Sequence, residues 1–172
     1  MFKRIGVVVI LAPLVLATCR QKTGGQPRAA ATPAVESEGL AADARTAYED
    51  AKRAVSARDY GAAQARLQEA VSAQPDFTEG WYNLGATQVH LAIQAARDGR
   101  DGEAVQLFRQ AVESKRTARG LMEQKRWYVY LRAAEQDQVR SDVDQGLEDA
   151  DEVLADEQSL LAALRLWAGQ VR

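Results

Sequence analysis

The stretch Asp59 to Gly85, DYGAAQARLQEAVSAQPDFTEGWYNLG, carries the reading from which the rest of the chain follows. Ala63, Leu67 and Ala70 recur at helical spacing, Pro75 closes that helix, and Trp81, Leu84 and Gly85 fall on one face of the next. Two small residues flanking a bulky one fit a helix that approaches a partner closely at Ala63 and Ala70 while Leu67 fills the groove between them. Gly85 allows the same close approach on the following helix. Asp76 and Glu79, three apart, have the spacing of a capping box at its start.

Composition extends this helical reading outward. The 172 residues include 32 alanines and only 11 aromatics, and three prolines remain after the first 18 residues. Small helix-favouring side chains with no sustained alternating β-branched run imply closely packed helices and an all-α chain. The length suits one compact domain with appendages, or a short repeat array. One cysteine, one histidine and a net charge of −2 argue against a disulfide scaffold, a histidine-rich metal site and a generally basic nucleic-acid binder.

The small, bulky, small, proline pattern at Ala63, Leu67, Ala70 and Pro75, followed by Trp81, Leu84 and Gly85, resembles the tetratricopeptide repeat. That resemblance implies antiparallel helix pairs stacked as a short solenoid, with the clearest repeats at 44–77 and 78–118. In the second unit Ala104, Phe108 and Ala111 repeat the signature, but Ala104 follows Trp81 by 23 residues where the family has 16. Seven extra residues are two helical turns. The expectation is a first helix prolonged through Ala96, projecting beyond the repeat, before a turn over Arg97 to Gly102. A degenerate third unit is read from Trp127, Val143, Leu147 and Ala150, in which Tyr130 and Leu131 replace the Leu-Gly pair. Leu160, Leu161, Leu164, Trp167, Ala168 and Val171 form the stripe of a C-terminal capping helix running to 172.

The amino terminus has a different character. Met1 to Arg4 is short and basic, Ile5 to Ala17 is an apolar run of 13 residues containing Pro13, and the sole cysteine, Cys19, follows Thr18. A spanning helix needs about 20 apolar residues, so an export signal over 1–18 is the better reading. Leu16-Ala17-Thr18-Cys19 resembles a bacterial lipobox, which implies acylation of Cys19, palmitate included, and anchoring to a membrane of the bacterial cell envelope. Thr18 departs from the Gly, Ala or Ser usual before that cysteine. The alternatives are an unlipidated signal peptide and an uncleaved anchor. Cleavage leaves 20 basic against 24 acidic residues. Residues 19–39 then read as the lipidated cysteine and a flexible tether without Leu or aromatic side chains, spanning at most about 70 Å, and 40–172 as the helical domain.

No nucleophile, phosphate loop or metal-ligand constellation emerges, so no enzyme, cofactor or metal is expected. Asp142 to Gly146 is a poor match to a calcium loop, with its Gly one position early and Val153 where a Glu belongs. Ser141 and Asp144 read instead as a capping pair. Arg109 to Arg140 holds eight basic and four acidic residues, and Asp142 to Leu164 holds eight acidic and no basic ones. Solvated helix faces, a docking surface, or acidic residues complementing a helix amino terminus all account for this. In the tetratricopeptide family the first helices line a concave groove. Its matching positions here include Tyr48, Lys52, Tyr82, Asn83, Ala86 and His90, a candidate surface for a protein or peptide partner in the envelope. Tyr48 and Tyr82 read equally as packing residues, and His90 as a packing or hydrogen-bonding one. The set departs from the family's carboxylate clamp at Tyr48 and Lys52. The expected function is a non-enzymatic interaction or scaffold module, and the alternative is a ligand-binding accessory of a solute transporter.

Overall fold

A computed structural model describes residues 39–128 and 133–170. The signal segment, Cys19, nearly all of the tether, Tyr130, Leu131 and Val171 lie outside them. The described residues form α1 (Ala42–Ser56), α2 (Tyr60–Ala73), α3 (Thr78–Arg97), α4 (Asp101–Glu123), α5 (Ala133–Leu154) and α6 (Glu157–Gln170), with no strand among them. No described helix is long and apolar enough to cross a membrane.

The first four helices form two hairpins. α1 turns into α2 through Arg58, whose φ of 59° reverses the chain, and Asp59 caps α2 by accepting from the Ala62 amide at 2.9 Å. Ala63, Leu67 and Ala70 are all buried, and the inner face of α2 packs on Ala44, Ala47, Tyr48 and Ala51 of α1. α3 runs through Arg97, as the two-turn insertion predicts, and turns into α4 at Gly99, where φ is 76°. Close approach within this hairpin depends on Gly85. A Cβ there would stand 2.9 Å from Lys115 Cγ and 3.0 Å from the Ala111 carbonyl oxygen.

The extension of α3 does not project. Ala92, Ile93, Ala95 and Ala96 are buried in one cluster with Phe108 of α4, Val153 of α5, and Leu160, Leu164 and Trp167 of α6. The apolar stripe of α6 needs a surface, and the alanines on the added turns let it approach closely. α6 therefore packs on α3 as well as on α5 and α4, and the last four helices share a core.

Among the described residues Trp127 does not open the first helix of a third pair. α5 is one continuous helix carrying Val143, Leu147 and Ala150, while Trp127 lies in the non-helical segment after α4. Nothing between Ala133 and Gln145 breaks a helix, and Gln138 donates to Asp142 and Gln145 to Asp149 one turn apart. Ser141 and Asp144 are consequently interior residues rather than caps, and Asp144 accepts from the Arg119 guanidinium of α4. Arg116 likewise pairs with Asp151 at 2.6 Å and Arg109 with Glu157 at 3.9 Å. The uneven charge of the last third is thus partly internal complementarity between α4 and the α5–α6 region. Each exposed pair is worth about 0 to 1 kcal/mol, which favours register more than stability.

Asp76 and Glu79 do not form a capping box either. Phe77 is the N-cap of α3 and makes no side-chain cap bond. The two carboxylates instead hold the segment after α4: Asp76 accepts from the Tyr128 hydroxyl at 2.6 Å and Glu79 from the Tyr128 amide at 3.0 Å. Thr78 adds a bond from its hydroxyl to the Arg126 carbonyl. The bonds from Tyr128 and then Gln74 hold the Asp76 carboxyl below its ordinary range. Tertiary partners have displaced the local cap.

Candidate binding surfaces

α1 and α3 bring Tyr48 and Asn83 together inside the fold. Tyr48 is 6% exposed and Asn83 4%, and the Asn83 amide donates to the Tyr48 hydroxyl at 2.7 Å. The Phe77 ring packs edge-on against Tyr48 at 4.9 Å between centroids. Burial first, and the Glu79 and Glu49 carboxylates second, push the Tyr48 phenol well up from its ordinary value. It remains a protonated packing residue throughout the physiological range. Lys52 sits at the edge of this arrangement, paired with Glu49 at 3.0 Å and 5.9 Å from the Tyr48 ring centroid.

One position along α3 turns the side chain by about 100°, so Tyr82 faces away from Asn83. It is 3% exposed among Ala118 and Met122 of α4 and Val139 and Val143 of α5, with the Lys115 amine 3.5 Å from its ring centroid. Ala86 is buried, and half-buried His90 stacks on Tyr60 at 4.5 Å with the rings 8° from parallel. Burial lowers the His90 pKa, which leaves the imidazole neutral at pH 7.

The structure does not gather the six expected groove residues on one open face. Tyr48, Tyr82, Asn83 and Ala86 are covered, three of the six residues gather at the α1–α3 seam, and Tyr82 and His90 point elsewhere. The reason is that α1 closes one side of α3 and α5 closes another, leaving no concave face open at these positions. Asn83→Ala is expected to lower stability by about 1 to 2 kcal/mol, because it leaves the Tyr48 hydroxyl buried without its donor. Chemical denaturation monitored by circular dichroism checks this, and an unchanged midpoint would place Asn83 on a free surface.

An open groove does exist on the opposite side, between α2 and α4 with α3 as its floor. It has a volume of about 800 Å³ and is lined by Val71, Ser72, Trp81, Leu84, Gln88 and Val112, among others. Ser114 donates to Gln88 at 2.8 Å and fixes one polar point of the floor. Trp81 is itself oriented by donation from its indole nitrogen to the Pro75 carbonyl at 2.8 Å. In sequence Trp81 served only as a register mark. The exposed Gln68, Ser72, Gln110 and Thr117 had no pattern that separates groove from ordinary surface.

Among the described residues no group of three or more His, Cys, Asp or Glu side chains is placed to hold a metal ion. No protein-family model matches the chain, and neither the curated proteins nor the solved structures contain a match. What the described residues define is an all-α fold of six helices.

Proposed function

We propose that the chain is a lipid-anchored, tetratricopeptide-like interaction module of the bacterial cell envelope, non-enzymatic, tethered through Cys19 and engaging a protein segment with the groove between α2 and α4. The observation that carries the docking reading is the form of that groove: about 800 Å³, open along its length, with Trp81 and Leu84 at its floor, Val112 on its α4 wall and polar side chains at its rim. A partner that inserts one apolar side chain between Trp81 and Val112 and hydrogen-bonds to Gln88 and Ser72 fits this arrangement. The transporter-accessory reading needs an enclosed pocket of solute size, whereas the more enclosed cavity between α3, α4 and α5 measures only about 30 Å³. The two helical hairpins and the signatures at 63–85 and 104–111 support the repeat reading.

Two measurements test the proposal. Metabolic labelling with a fatty acid is expected to mark the wild-type chain and to be lost in Cys19→Ser; labelling that survives the substitution defeats the anchor. Gln68→Arg with Thr117→Arg fills the groove from two exposed positions without touching the core. Crosslinking in intact cells followed by purification is expected to recover a defined protein partner with the native chain and at least tenfold less with the double variant. Equal recovery removes the groove from the site.

A further inference from the structure

The tether joins the helical fold at one end of the bundle, against the segment that follows α4. A Cβ on Gly39, whose φ is 103°, would stand 3.6 Å from Cε1 of Tyr128. The Ala41 amide donates to the Gln74 side chain at 3.4 Å, and the Gln74 side chain donates in turn to the Tyr128 hydroxyl at 3.2 Å. Residues 125–128 read Lys-Arg-Trp-Tyr. Lys125, with a φ of 56°, turns the chain out of α4, and the bonds from Asp76, Thr78 and Glu79 then fix Arg126 and Tyr128 against the start of α3. Lys125 and Arg126 are exposed, while Trp127 is half-buried and rests on the cluster of Tyr82 and Met122. Arg45, exposed on α1, reaches back to the Leu40 carbonyl at 3.5 Å, one residue from Gly39. Among the described residues neither Arg45 nor Lys125 has a carboxylate partner, and Arg126, 3.7 Å from Asp76, is 57% exposed. Of the carboxylates on α1, α3 and α4 at this end, Asp76 and Glu79 face Tyr128 and Glu123 faces Arg119, which sets the exposed Asp43 against three cations.

We propose that this end of the bundle, with Arg45, Lys125, Arg126 and Trp127, is a contact face for a bilayer of anionic phospholipid, a role that rests on the acylation of Cys19 proposed above. The residues between that cysteine and Gly39 span at most about 70 Å. The face at the root of the tether therefore meets the headgroups at a higher effective concentration than any other part of the domain. Its chemistry suits them: each basic side chain near an anionic surface strengthens attachment about fivefold, and an indole is at home where headgroups meet acyl chains. With 20 basic against 24 acidic residues after cleavage, attraction to anionic lipid has to come from a local face and not from net charge. The opposite end also carries arginines, but Arg97 and Arg100 are paired with Asp98 and Glu103, and the tether does not begin there. Contact through the 125–128 end stands the helices upright on the bilayer. The groove between α2 and α4 runs along those helices, so it then opens sideways, free to receive a partner.

The test reconstitutes the mature, acylated chain into vesicles of phosphatidylglycerol with phosphatidylcholine, or of phosphatidylcholine alone. Flotation reports attachment, and acetylation by a water-soluble reagent followed by peptide mapping reports which lysines are covered. Lys125 is expected to react at least about fivefold more slowly on the phosphatidylglycerol vesicles, while Lys52, on the flank of α1, reacts alike on both. High salt is expected to abolish the difference, because it screens exposed charges. Arg45→Glu is expected to reduce the protection, and Arg58→Glu, which makes the same charge change at the far end, to leave it intact, with unchanged circular dichroism spectra for both. Equal Lys125 rates on the two floated preparations, equal protection of Lys52, protection that survives high salt, or equal losses from the two substitutions each overturns the membrane face while leaving the anchor standing. A chain that floats with neither vesicle removes the anchor, and the face with it.

Discussion

Phe108→Ala is expected to reduce the free energy of unfolding by about 3 to 5 kcal/mol, a large fraction of the stability of an ordinary domain. The ring is 1% exposed and lies where α3, α4, α5 and α6 converge, in the cluster that includes Ile93, Val153, Leu160 and Trp167. Its centroid is 6.4 Å from that of Trp167, so truncation also removes the surface on which α6 rests. The alanines around it have no side chain long enough to fill the space, and the lost ring leaves a cavity beside the small one already present. Urea denaturation followed by circular dichroism measures the change, with Leu166→Ala as the comparison. Leu166 is 54% exposed, and its loss should alter stability by no more than about 0.5 kcal/mol. Similar midpoints for the two variants would mean that α6 does not share the Phe108 core.

The second large effect is a rise in stability with pH that depends on Lys115. Its folded pKa lies below its unfolded one, so between about pH 7 and 10 the unfolded chain binds a proton that the folded chain does not, and stability increases with pH across that window. The limiting slope is about 1.4 kcal/mol per pH unit. Partial exposure of the side chain lowers this to roughly 1 kcal/mol per unit, or about 2 to 3 kcal/mol across the window. The Tyr82 phenol works the other way: burial raises its folded pKa to about 12, so its contribution is present below pH 10 and lost as pH rises through 12. Stability should therefore peak near pH 9 to 10. Lys115→Met keeps the stem over Gly85, removes the ammonium and should stabilise the protein at pH 7 while flattening the rise. Denaturant midpoints at pH 7, 8 and 9 for both proteins decide the matter. Parallel curves would exclude Lys115 as the source.

The site expectations separated according to the range of the forces involved. The spacing of Ala63, Leu67, Ala70 and Pro75 is a local, periodic signal for the first hairpin, and the seven extra residues between Trp81 and Ala104 are the signal for the prolonged α3. The groove positions came from the tetratricopeptide resemblance, and lining a groove also requires that nothing else cover the face. Tyr82 is covered by α5, some 60 residues away in sequence, and no residue near Tyr82 encodes that contact. The exposed groove was missed for the complementary reason: the gap between α2 and α4 is defined by what fails to pack there, and Trp81 has the same sequence context whether it floors a groove or fills a core.

By itself the sequence determined the helices: alanine-rich periodicity, Pro75 as a stop and the Arg97 to Gly102 turn act through neighbouring backbone and so leave their marks at short range. It also marked the small-bulky-small contact faces that lock α1 to α2 and α3 to α4. Only the tertiary structure decided that 133–154 is one helix rather than half of a third pair, and that α6 rests on the added turns of α3. Asp76 and Glu79 serve Tyr128 instead of a cap, and α4's arginines meet α5's carboxylates, for the same reason. In each case a residue has one local partner and one distant partner of comparable strength. At Asp76 and Glu79 the distant partner replaces the local cap, and at Arg116 and Arg119 it is added to the local Glu113 and Glu123, because hydrophobic burial is non-directional and brings the segments together wherever the most apolar surface is removed from water.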